Sequence, residues 1–178
     1  MTTNEPDTAR VLVAAASKHG ATAEIAGHIG DTLRRRGHDV TVADAGQVGT
    51  IDGYDAVVLG SAVYAGHWLD DAKVLADRIA GHRPRPPLWL FSSGPVGDPP
   101  KPDEDPDVAA ITAATAPRNH RVFAGRIDKS KLGFAERAIM IAVRAPEGDF
   151  RDWDAIAAWA DGIADTLSAA PKPDGSAS

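Results

Sequence analysis

The residues best suited to chemistry are Ser17-Lys18-His19-Gly20-Ala21-Thr22, directly after the unbroken apolar run Val11–Ala16. Two hydroxyls, a glycine free to adopt positive φ and the amides of a starting helix make a cup the size of an anion. Thr22 is the predicted cap of that helix. The stretch lacks the Gly-Lys-Ser/Thr ending of a nucleoside-triphosphate loop and the repeated glycines of a dinucleotide fingerprint. A single phosphate held by hydroxyls and amides fits it better, and the position of Lys18 does not match a phosphate lysine. A second stretch, Gly60-Ser61-Ala62-Val63-Tyr64-Ala65-Gly66-His67-Trp68, offers flat surfaces at Tyr64 and Trp68. Peptides near Gly66 can meet the polar edge of a ring there. His67 is the candidate acid–base residue, because imidazole titrates near neutral pH. A third stretch, Ser92-Ser93-Gly94-Pro95-Val96-Gly97, carries only small side chains and Pro.

Each of these loops follows a predicted strand. Val11–Ala16 and Leu88–Phe91 are continuously apolar, and Tyr54–Gly60 is so beyond Asp55, as expected of parallel strands covered on both faces. Asp39–Ala43 is a shorter strand and Arg121–Ala124 a candidate last one. Between them run helical patterns. Ile25, Ile29 and Leu33 recur every four residues before Arg34-Arg35-Arg36 and Gly37 close the helix. Ala72, Leu75, Ala76 and Ile79 mark a second helix, and Val108–Ala116 an alanine-rich third. Lys131–Val143 reads as a fourth, and Trp153, Ile156, Ala160, Ile163 and Leu167 as the stripe of a fifth. Trp153 and Trp159 read as packing residues. This alternation predicts an α/β fold, a doubly wound five-stranded parallel sheet with helices on both faces. The three loops then share the carboxyl edge, where such sheets bind ligands.

Composition narrows the class. The 178 residues suit one domain over 10–168, with tails at 1–9 and 169–178 expected to lack order. The chain has no Cys, which removes disulfides and thiolate chemistry and fits a cytoplasmic protein. Its net charge of -6 argues against general nucleic-acid binding. No apolar run approaches the roughly eighteen residues of a membrane span, so membrane contact is expected to be peripheral at most. A phosphoacceptor receiver would want an Asp at the end of the central strand, but Asp55 precedes that strand. The acidic, proline-rich Asp98–Asp107 has no ordered ligand spacing, and no metal site is expected.

Ser17–Thr22 resembles the phosphate loop of flavodoxins, and Gly60–His67 resembles the ring-binding loop of one flavodoxin-domain branch. That branch is related to menaquinone-dependent protoporphyrinogen dehydrogenase. The resemblance runs from Arg10 to about Leu167 and includes Phe123-Ala124-Gly125 and Asp152-Trp153. It implies a flavodoxin-like sheet of order 2-1-3-4-5 with bound FMN. Carried over, Ser17, His19, Gly20, Ala21 and Thr22 hold the phosphate. Ala62, Val63, Tyr64, Ala65 and Gly66 line one side of the isoalloxazine, and Ser93, Gly94, Pro95 and Val96 the other. Two departures stand out: His19 replaces a common Thr, and the third loop has no aromatic to stack.

The resemblance implies an FMN-dependent oxidoreductase that oxidises protoporphyrinogen with a quinone acceptor. Two alternatives stand beside it: a flavodoxin-type one-electron carrier serving a redox protein partner, and a flavodoxin-fold interaction protein without strong FMN binding. Arg118, Arg121, Arg126, Lys129, Lys131, Arg137 and Arg144 outnumber Asp128 and Glu136 late in the chain. With Leu132, Phe134, Ile139, Met140 and Ile141 they form a candidate basic and apolar rim for a porphyrin's carboxylates or an anionic lipid surface at the cytoplasmic face.

Overall fold

A computed structural model describes residues 7–94, 106–142 and 147–170. Five strands lie parallel: β1 (Arg10–Ala16), β2 (Asp39–Asp44), β3 (Ala56–Tyr64), β5 (Leu88–Ser93) and β6 (Asn119–Phe123). Their order is β2-β1-β3-β5-β6, with the two-residue β4 (His67–Trp68) paired antiparallel to β3. Counting only the parallel strands, this is the expected 2-1-3-4-5 order of a doubly wound sheet. The helices are α1 (Ala21–Arg35), α2 (Asp70–Gly81), α3 (Pro106–Thr115), α4 (Phe134–Ala142) and α5 (Trp153–Ala169).

The two-residue period of the strands divides the core into two layers. Val11, Val13 and Ala15 pack with Ile25, Ile29 and Leu33 of α1 and Ile156, Ala160 and Ile163 of α5. Leu12, Ala14 and Ala16 face the other way, toward Leu75 and Ile79 of α2 and Val108 and Ile111 of α3. Trp159 packs edge-on to Phe91 and Phe123, and its Nε1–H donates to Asn119 Oδ1 at 2.8 Å. Arg36 ties α1 to α5 through Asp161 and Asp165.

Several local expectations change. The predicted second loop is mostly strand: β3 continues to Tyr64 and turns back through Ala65 and Gly66 into β4. Both tip residues have positive φ, 50° and 80°, the pattern of a two-residue type I′ turn, whose twist matches that of paired strands. Trp68 is 2% exposed and belongs to the core; its Nε1–H donates to Ser92 Oγ at 2.8 Å. A ribbon absent from the sequence reading, β7 (Arg126–Ile127) with β8 (Gly148–Asp149), flanks a short 3-10 turn and α4. Two-residue strands carry too little periodicity to read from sequence. Thr8 and Ala9, counted with the tail, already bond to Gly37 and His38. No described helix is long and apolar enough to cross a membrane.

Candidate functional site

The strand order reverses beside β1, where β2 lies on one side and β3 on the other, and this is where open α/β sheets form a crevice. A cavity of about 590 Å³ occupies the carboxyl edge at that point. Ser17, His19, Ala21 and Thr22 line one end. The hairpin residues 62–66 form one side, and Ser93 and Gly94 stand opposite. Pro95 and Val96 lie outside the described residues. The volume is that of a small-molecule or cofactor site.

The phosphate end is built differently from the sequence expectation in one respect. Gly20, not Thr22, is the helix cap: its φ of 90° lies in the left-handed region, and no side chain caps α1. Ser17 instead stabilises the loop by accepting the Gly20 N–H at 3.0 Å. Thr22 sits in the first helical turn, is 2% exposed and lines the cavity. The correction follows from backbone geometry, since a residue capping the helix must itself stand outside helical φ and ψ.

Lys18 spans the cavity more fully than its sequence position suggested. Its ammonium lies 3.4 Å from the Tyr64 ring centroid and pairs with Glu136 of α4. That carboxylate also accepts the Gly133 N–H at 2.9 Å, and His19 Nε2 is 3.5 Å away. The hydrogen bond from Lys18, aided by that from Gly133, holds the Glu136 carboxyl at about 2. Glu136 in turn keeps Lys18 charged above the ordinary lysine range.

His67 is not among the cavity-lining residues. Its Nδ1 lies 3.1 Å from Asp107 Oδ2, which also accepts the Trp68 N–H at 3.1 Å. The expected basic rim divides as well. Arg126, Lys131 and Leu132 line the cavity, whereas Arg118 stacks over Trp89 and Arg121 lines a separate groove beside β6 and α5. Arg144 and the side chains of Lys129, Ile139 and Met140 lie outside the described set. Sequence reasoning missed Glu136 and Gly125 as site residues. Gly125 packs within 3.1 Å of Gly94 as measured from a built Cβ, a backbone approach with no pattern in sequence.

Two buried nitrogens at this cavity have no hydrogen-bond partner among the described residues: His19 Nε2 and Arg126 Nη2. Orphaned buried donors are costly unless something accepts from them. Together with the Ser17 and Thr22 hydroxyls and the first amides of α1, they fit a phosphate dianion.

A doubly wound sheet with an anion cup at its switch point and a ring-sized cavity above defines a flavodoxin-like protein. The chain belongs to the Flavodoxin domain family, which it matches over residues 12–154. That fold implies FMN as cofactor. Among solved structures, an archaeal flavodoxin is 14% identical with a TM-score of 0.61, covering 89% of this chain and 98% of its own. A flavodoxin from Streptococcus pneumoniae TIGR4 is 18% identical with a TM-score of 0.61, covering 90% of this chain and 99% of its own. Rubredoxin oxygen:oxidoreductase from Desulfovibrio gigas has the same TM-score at 18% identity, but only 36% of that longer chain is covered. Comparison with curated proteins finds no match.

Proposed function

We propose that this chain is an FMN-binding electron carrier of the flavodoxin type. The observation that carries the reading is the cavity at the switch point, where hydroxyls, helix amides and two side-chain nitrogens without hydrogen-bond partners among the described residues converge beside the Tyr64 hairpin. FMN supplies one- and two-electron transfer when bound. The protein's part is to hold and orient. Ser17, His19, Thr22 and the α1 amides anchor the phosphate, while residues 62–66 and the Ser93-Gly94 turn confine the ring and exclude water. The full-length similarity to free-standing flavodoxins supports a carrier, because nearly the whole chain is used to build the same fold.

A second reading, an oxidoreductase acting on a carboxylate-bearing substrate such as protoporphyrinogen with a quinone acceptor, is favoured by one feature. Arg126, Lys131 and Leu132 add a basic and apolar wall to the cavity, and Phe134 and Ile141 stand exposed on the adjoining α4. An absorbance spectrum before and after FMN addition, followed by a potential titration, separates the readings. A carrier shows flavin bands and two resolved one-electron steps, without porphyrin turnover. Turnover of protoporphyrinogen dependent on an added quinone would move the assignment to the second reading. Failure to bind FMN at micromolar concentration would leave an interaction protein of flavodoxin shape.

A further inference from the structure

We infer that Arg126 is a phosphate ligand that makes this site select FMN over unphosphorylated riboflavin. The inference rests on the FMN reading and assigns a role to a residue outside the three loops of the resemblance. Arg126 opens β7, and its guanidinium is 21% exposed. Nη1 lies 3.3 Å from both carboxylate oxygens of Glu24, on the first turns of α1, so the guanidinium is tied to the phosphate end of the cavity. Nη2 is buried and has no hydrogen-bond partner among the described residues.

The neighbouring residues are arranged to keep Arg126 in this place. Arg151 takes most of the Glu24 carboxylate at 2.5 Å and closes on Asp149 at 2.6 Å. Glu24 is thereby shared, and its contacts to Arg126 are long. The backbone is fixed from both directions. Arg126 pairs with Asp149 in the β7–β8 ribbon, and the preceding Gly125 packs on Gly94 while accepting the Phe150 N–H at 3.1 Å. A guanidinium anchored through one nitrogen and unpartnered at the other, at the cavity wall, suits a phosphate oxygen, which accepts charge-assisted hydrogen bonds. The ribbon that the sequence concealed therefore has a purpose: it carries a cation from a late segment to the start of α1.

The test compares FMN and riboflavin affinities by flavin fluorescence quenching in the full chain, with wild type, Arg126→Gln and Arg126→Lys. Arg126→Gln is expected to weaken FMN binding roughly tenfold to a hundredfold. Riboflavin affinity should change by less than about twofold, since no phosphate is lost. Arg126→Lys, which keeps a charge for Glu24, should fold and fall between the two. Equal losses for both flavins, or an unchanged FMN affinity in a folded variant, would overturn the assignment. Should Arg126→Gln not fold, a wild-type preference for FMN in Arg126→Lys overturns it. Wild-type protein that binds neither flavin defeats the FMN reading itself, a result distinct from binding that is indifferent to residue 126.

Discussion

Glu136 is the residue on which closure of the cavity turns. One carboxylate from α4 meets Lys18 and approaches His19, so an anion of the protein's own stands beside the phosphate loop. Its carboxyl is held at about 2, so its contribution is complete above the ordinary carboxylate value near 4.5 and is lost as pH falls toward 2. Glu136→Gln should loosen α4, and amides of residues 134–142 should exchange roughly two- to fivefold faster at neutral pH. Unchanged exchange would show that α4 is held by other contacts. Ala65 carries the opposite kind of local cost, a non-glycine residue at φ 50° on the hairpin tip. Ala65→Gly relieves that strain, less the entropy glycine adds to the unfolded chain, for a net gain of about 0.5 kcal/mol. The urea midpoint should rise with an unchanged slope.

At the scale of elements, the packing of β3 against β5 leaves room at Gly60 for the Phe91 ring. A Cβ built at Gly60 would lie 2.1 Å from the Phe91 ring, in the layer covered by α1 and α5. Gly60→Ala must displace that ring and should cost roughly 1–3 kcal/mol, read as a lowered denaturation midpoint. The α5 start shows the converse, a junction set locally: Asp152 accepts the Ala155 N–H at 3.0 Å, and the helix begins where a side-chain cap predicts. At α1 the cap is a glycine backbone conformation, and the hydroxyl nearby serves the loop instead.

For the whole molecule, two histidines give opposite pH dependences. His38 is 6% exposed, and burial pushes its pKa below the ordinary value. Its Nδ1 accepts the Ala9 N–H at 3.2 Å, which only the neutral ring can do. The unfolded chain therefore binds the proton more readily, and stability should fall as pH drops below about 6.5. The half-buried His82 is raised by Asp52 and gains in the same range, so the His38 contribution is isolated by His38→Gln. Unfolding free energies of wild type and variant should converge between pH 7.5 and 5.5, because the variant lacks that downward slope; parallel curves would refute it. FMN should add stability by mass action, about 2.7 kcal/mol at a hundredfold excess over Kd.

The sheet was legible because apolar runs separated by amphipathic helices leave few ways to bury every strand, and the two faces follow from alternation at Val11–Ala16. The same local logic singled out the first loop and the Gly60–Trp68 stretch, since glycine, hydroxyl and aromatic types are recognisable one stretch at a time, whereas the choice of residues 62–66 within it came from the resemblance. Glu136 was not legible as a site residue, and Arg126 was legible only as one cation of a candidate rim, not as a neighbour of the first loop. Each reads as an ordinary charge on a late segment, and each acquires its role only by contact with residues 118 and 102 positions earlier. His67 illustrates the reverse: its type suited catalysis, but pairing with Asp107 draws its ring into a contact outside the cavity lining. Local sequence determined the five parallel strands, the helices and the position of the first loop, because backbone propensity and burial period act within a few residues. Tertiary structure alone decided which charges face that cup, because electrostatic partners are chosen by distance in space.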